Sequence, residues 1–106
     1  MLPKKHRADK KSVEEIFKNG KFINSTNLSF KFVLNKNLKL QKISFIVPKS
    51  TAKTAVKRNL LRRRGYAVLK KYLNDFPVGL SGAFVLKKDV DSLELSKQVE
   101  FILNKL

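Results

Sequence analysis

The sequence contains no cysteine, a single histidine and only 8 acidic residues. The missing cysteine excludes disulfides and thiolate metal sites, and it is compatible with a reducing cytoplasm. The lone His6 stands among Lys and Arg, with no second histidine to serve as the complementary acid in proton transfer. No apolar run approaches the roughly 20 residues of a membrane span, and the amino terminus lacks the apolar stretch of a signal peptide. Internal repeats, low-complexity segments and dividing linkers are absent, as are phosphate loops, zinc-ligand spacings and nucleophile elbows. The expectation is one cytoplasmic domain without a protein-borne catalytic constellation.

What is abundant is positive charge. Lys and Arg number 24 in 106 residues, for a formal net charge of +16. With 42% hydrophobic residues the chain can still build one core, so it reads as a folded domain and not as a basic tail. Charge of this size repels itself in a compact fold and is usually offset by a polyanion. Nucleic acid fits best, because each phosphate neutralised by Lys or Arg releases condensed counterions. An anionic membrane surface is the competing partner.

Residues 1–11 carry Lys4, Lys5, Arg7, Lys10 and Lys11 and read as an extended or mobile basic arm. Ser12 then opens a helix, with Glu15 at the capping-box spacing and Val13, Ile16 and Phe17 on one apolar face. Gly20 suits the left-handed residue after its end. Leu28 to Leu34 alternates apolar and polar residues at the strand period, and residues 35–41 are polar and turn-like. Ile43 to Val47 is a second strand, with Lys21 to Ile23 as a short extra strand pairing with it. A long basic helix is expected from Lys53 to Asn74, with Thr54, Leu61, Gly65, Val68 and Tyr72 as its core stripe. Gly65 inside that stripe costs about 1 kcal/mol of helix propensity, so it marks close contact with the sheet. Pro77 ends the helix region, Ala83 to Leu86 forms a buried strand, and Asp91 caps a last helix. Leu95, Val99, Ile102 and Leu106 are that helix's apolar face. The chain is therefore expected to be α+β, with about three helices packed on one small sheet.

The stretch from Lys49 to Arg64 contains Lys49, Lys53, Lys57, Arg58, Arg62, Arg63 and Arg64 and no acid. On a helical wheel Arg58, Asn59, Arg62 and Arg63 flank the core stripe on one side. Lys53, Lys57, Arg64 and Lys71 flank it on the other. Arg can fork onto phosphate and Asn can bond a base edge or ribose hydroxyl, which suits folded RNA better than the solvated face of an ordinary basic helix. A second surface joins Phe17 to Phe30 and Phe32, with Lys31 on the opposite strand face. Aromatic rings stack unpaired bases, but alternating Phe in a strand is more often core, and from the residues alone core packing is favoured. Asp89, Asp91 and Glu94 could hold a hard cation, although acids at a helix start are common for dipole reasons.

The run Val47-Pro48-Lys49, followed by Ala55-Val56-Lys57-Arg58-Asn59-Leu60-Leu61-Arg62-Arg63, resembles the bacterial ribonuclease P protein family. That family shows a strand ending V-S-K-K, then A-V-x-R-N-R-x-K-R at the start of a long helix. The segment Ile16-Phe17-Lys18-Asn19-Gly20 is similar as well. Leu60 stands where the family usually has the second Arg, with Arg64 or Lys57 as substitutes. Tyr66, Pro48 and Ser50 also depart from the pattern. The resemblance implies a four-stranded sheet in α-β-β-β-α-β-α order with a left-handed β-α-β crossover, an exception to the right-handed rule. It implies a catalytic RNA subunit and precursor tRNA as partners, with neither a membrane nor an obligate protein partner. Lys49, Lys53, Lys57, Arg58, Asn59, Arg62 and Arg63 would face the catalytic RNA. Val13, Phe17, Phe30 and Phe32 would line a cleft for the single-stranded 5′ leader. Mg²⁺ would be held mainly by the RNA, and no protein side chain would be catalytic. Two other readings remain: a structural binder such as a small ribosomal protein, and a protein-only ribonuclease using His6 and a carboxylate.

Overall fold

The computed structural model describes residues 10–34 and 39–106. Helix α1 spans Lys10–Asn19, β1 Lys21–Asn24, β2 Leu28–Leu34, β3 Lys42–Ile46, α2 Ala55–Tyr72, β4 Leu80–Leu86 and α3 Ser92–Lys105. A single 3-10 turn, Leu73–Asp75, prolongs α2. Lys10 and Lys11, expected in the basic arm, belong to α1, and Ser12 lies inside that helix rather than at its start. The rest of the arm, His6 included, lies outside the described residues, as do positions 35–38 of the expected turn. Gln41, at that turn's end, is buried, and its Nε2 donates to the Phe76 carbonyl at 3.0 Å.

The four strands form one sheet in the order β1-β2-β4-β3. β1 pairs antiparallel with β2, not with β3 as the sequence suggested. The residues between β1 and β2 explain this: Ser25 N–H donates to the Leu28 carbonyl at 2.7 Å, closing a turn too tight for any partner but the next strand. β2 pairs antiparallel with β4, and β3 pairs parallel with β4, so α2 is the crossover between adjacent parallel strands. β4 begins at Leu80, earlier than the expected Ala83, because Gly82 does not break it. A Cβ on Gly82 would collide with the Phe30 ring, so glycine is what lets that ring lie flat on the sheet.

Strand pairing sorts the sheet residues onto two faces. Phe30 lies opposite Phe84, and Phe45 opposite Phe84 on the other side, so the three rings form a row across β2, β4 and β3. Phe30 and Phe84 stack with centroids 4.2 Å apart, and Phe76 meets Phe84 edge-on at 6.0 Å. Leu28, Ile43, Leu80 and Leu86 complete this face, which α2 and α3 cover with Leu61, Val68, Leu69, Leu95, Val99 and Ile102. Complete burial of each such side chain contributes about 1.5–3 kcal/mol. The opposite face carries Ser29, Lys31 and Val33 of β2 with Ser81, Ala83 and Val85 of β4. Helix α1 packs against β2 and β4 there; Ile16 is fully buried yet stands apart from the core under α2 and α3.

Local chemistry fixes the helix ends. Thr54, expected in the core stripe, is the N-cap of α2: its hydroxyl accepts from Lys57 N–H at 3.2 Å. The stripe instead includes Tyr66 and Leu69 beside Leu61, Gly65 and Val68. A Cβ on Gly65 would come 2.5 Å from the Phe45 ring, so the expected close contact with the sheet is present. Tyr66 accepts the Phe45 N–H through its hydroxyl at 3.1 Å, satisfying a donor on the sheet-edge strand β3. Asp91 caps α3 by accepting from Glu94 N–H at 2.8 Å. Leu106 is exposed and does not join the α3 core face; Gln98 is buried there and accepts from Asn27 N–H at 2.8 Å. Tyr72 donates to Glu100 at 2.7 Å, tying α2 to α3. Gly20 is not left-handed, since Gly79 alone has positive φ among the described residues. Gly20 is needed because a Cβ there would strike the Ile16 carbonyl oxygen.

Candidate nucleic-acid interface

The acid-free stretch folds into the loop after β3 and the first three turns of α2. Thr51 fastens this loop, its hydroxyl donating to the Leu86 carbonyl at the end of β4 over 2.6 Å. That bond brings Lys49 and Lys53 to the same end of the sheet as Lys87 and Lys88, all four exposed. Lys87 and Lys88 were not singled out from the sequence, because they lie far from the helix motif along the chain.

The seven cations do not play equal parts. Arg58 turns inward, its Nη1 donating to the carbonyls of Ala52 and Lys53 at 3.0 Å each, so it braces the entry to α2. Lys57 pairs with Asp89 at 2.9 Å, and Arg64 pairs with the same carboxylate at 3.0 Å. The Lys57 hydrogen bond, ahead of the Arg64 one, holds the Asp89 carboxyl below its ordinary pKa. Lys49, Lys53, Asn59, Arg62 and Arg63 remain exposed, and among the described residues no acidic side chain pairs with these four cations. Leu60, in place of the family's second Arg, is half exposed. Neither suggested substitute is free, since Arg64 and Lys57 are both held by Asp89.

The expected leader cleft divides between the two sheet faces. Phe30 is completely buried in the aromatic row under α2 and α3 and cannot stack on a base. Phe32 stacks on Phe30 with centroids 5.5 Å apart, on that same face, and its half-exposed edge opens to a pocket with Lys21, Val33 and Leu34. Val13 and Phe17 are on α1, across the sheet. The residue that meets Phe17 is Lys31, its ammonium 4.8 Å from the ring centroid. Phe22 of β1 pairs with Lys31 and is 64% exposed, so two open phenyl rings flank one ammonium on the α1 face. Phe17 is 41% exposed. Alternation placed Lys31 on the opposite face from Phe30 and Phe32; it could not show that α1 covers the Lys31 side.

The acidic trio considered for a cation is otherwise engaged. Asp89 holds two cations and Asp91 holds a helix N–H. Glu94 accepts from Gln98 Nε2 at 3.2 Å. Among the described residues no group of three or more His, Cys, Asp or Glu is placed to hold a metal ion, and no helix is long and apolar enough to cross a membrane.

A cationic helix edge and an aromatic-lysine strand face on one small mixed sheet define an α+β protein of the RNA-binding kind. The family model described as Ribonuclease P matches residues 2–106, and the chain belongs to that family. Its fold is that of solved ribonuclease P proteins. The Staphylococcus aureus protein superposes with a TM-score of 0.80 at 17% identity, covering 94% of each chain. The Thermotoga maritima protein gives 0.82 at 18% identity, covering 94% of this chain and 96% of its own. A second Staphylococcus aureus structure gives 0.77 at 20% identity, covering 99% of this chain and 92% of its own. No curated protein matches in sequence. By family the chain is a protein subunit of ribonuclease P, with RNA and tRNA binding as the family's activity and a place in an endoribonuclease complex.

Proposed function

We propose that the two surfaces divide the work of the complex. The edge formed by Lys49, Lys53, Asn59, Arg62 and Arg63 holds the catalytic RNA. The α1 face of Val13, Phe17, Lys31 and Phe22 receives the single-stranded 5′ leader of precursor tRNA. Lys57 and Arg58 support the first surface from within the fold, as an ion-paired and a carbonyl-bracing cation. On the second, a base can stack on an open ring while Lys31 meets a phosphate, a combination that tolerates any leader sequence. Phe30 has no place in this cleft, and Phe32 belongs to the far side of the sheet.

Cleavage in this reading is the work of the RNA subunit. Among the described residues no acidic cluster is placed to hold Mg²⁺, and Asp89 and Asp91 are committed to cations and a helix cap. The metal is therefore assigned to the RNA, and the protein's contribution is to bind and orient. Precursor tRNA and the catalytic RNA are the partners, the cytoplasm is the place of action, and no protein partner is required.

The observation that carries the reading is the placement of Phe17, Lys31 and Phe22 on a face separate from the Arg62–Arg63 edge. The test is a pair of variants. Arg62→Ala with Arg63→Ala is expected to weaken binding to a bacterial ribonuclease P RNA and flatten its salt dependence. Phe17→Ala is expected to leave that binding intact and to reduce the preference for leader-bearing precursor over mature tRNA. Identical effects from both would merge the two surfaces and overturn the division.

A further inference from the structure

Asp89 lies in the connection between β4 and α3 and forms both ion pairs found among the described residues. One carboxylate oxygen meets Lys57 and the other meets Arg64, on the same flank of α2. Arg64 is held a second time, donating to the Val90 carbonyl at 2.6 Å, whereas Lys57 has Asp89 as its ion-pair partner. Among the described residues, the edge with Arg62 and Arg63 has no such anion. Within the described residues, one side of the basic helix is thus partly neutralised and the other has no ion-pair partner.

We infer that Asp89 is a specificity-determining residue: an internal anion that occupies a phosphate's position on the Lys57 flank and confines RNA to the Arg62–Arg63 edge. The inference rests on the reading that α2 meets RNA. A surface ion pair is weak, so a phosphate can displace the carboxylate from Lys57. The displaced charge still lies within the Debye length of about 8 Å at physiological salt, and it repels the incoming phosphate. Kept or displaced, it lowers what this flank contributes. The effect on selectivity follows from how the two kinds of RNA bind. Non-cognate RNA is held by counterion release, while a cognate RNA is also held by shape and base contacts. An anion on the helix therefore weakens non-cognate binding more.

The experiment measures binding against salt for the wild type, Asp89→Asn, Lys57→Gln and the double variant. The probes are a generic double-stranded RNA and a bacterial ribonuclease P RNA. Asp89→Asn is expected to add about one phosphate contact on the generic RNA, an extra loss of about threefold between 50 and 200 mM salt. Its affinity for the generic RNA should rise more than that for the ribonuclease P RNA. Lys57→Gln is expected to cost less than one phosphate contact in the wild type, where Asp89 already offsets it, and to abolish the gain in the Asp89→Asn background. An unchanged slope in Asp89→Asn overturns the inference. So does a Lys57→Gln change that flattens the slope equally in the wild type and in the Asp89→Asn background. Where Asp89→Asn is poorly folded, Lys57→Gln against the wild type still decides: loss of a full phosphate contact overturns the inference. Failure of Arg62→Ala with Arg63→Ala to flatten the slope would remove α2 from the interface and the inference with it, so the two failures are told apart.

Discussion

The Lys31 ammonium sits 4.8 Å from the centre of the Phe17 ring, joining the middle of β2 to the exposed side of α1. At an exposed site such a contact is worth about 0.5–1 kcal/mol, enough to bias the ring's position without burying it. With Phe22 beside Lys31 in the next strand, the α1 face offers ring, cation and ring in sequence.

Phe17→Ala and Phe22→Ala are each expected to lower affinity for leader-bearing precursor tRNA by about tenfold, from stacking worth about 1–3 kcal/mol per base. Mature tRNA should bind as before. Equal losses for both substrates would return these rings to a purely structural role.

Phe30→Ala is expected to act on stability, by about 3–5 kcal/mol, because it empties a fully buried site where the ring stacks on Phe84. Urea unfolding measures this directly. A leader-binding defect at unchanged stability would instead put Phe30 in the cleft.

The placements of Phe17 and Phe30 show what is legible in the sequence. Alternation at Leu28–Leu34 gave the strand and set Phe30 and Phe32 apart from Lys31, since side-chain period is a local property. Which face α1 covers is a tertiary matter: the sequence groups Phe17 with Phe30 and Phe32, whereas the fold sets it beside Lys31 and Phe22. Tyr66 looked like a departure from a basic pattern and is a core residue, because its hydroxyl serves a backbone donor in β3. The Lys49–Arg64 stretch is free of acids along the chain but not in space, where the β4–α3 connection delivers Asp89. The Asp91 cap and the long helix rest on short-range chemistry and are legible along the chain, whereas the Gly65 contact with Phe45 is signalled by a glycine kept inside a helical stripe.

Gly65→Ala is expected to destabilise the fold by about 1–3 kcal/mol through overpacking against Phe45. Its gain in helix propensity is about 1 kcal/mol, which offsets only part of this. A raised midpoint in thermal unfolding would show that the Phe45 ring moves aside freely.

Acid titration tests the Asp89 triad. Its carboxyl pKa is lowered in the folded state, so its contribution to stability is full above the ordinary value of about 3.9 and fades as pH falls through the folded value. The stability difference between wild type and Asp89→Asn should be constant from neutral pH down to that region and shrink below it. A difference that grows on acidification would contradict the ion pairing.

The most direct test of the central claim is cleavage of precursor tRNA at low magnesium by the protein alone, by a bacterial ribonuclease P RNA alone, and by the two together. Cleavage at the mature 5′ end in the mixture, with neither component sufficient, is the predicted result. Cleavage by the protein alone, or no stimulation of several such RNAs by folded, RNA-binding protein, would contradict it.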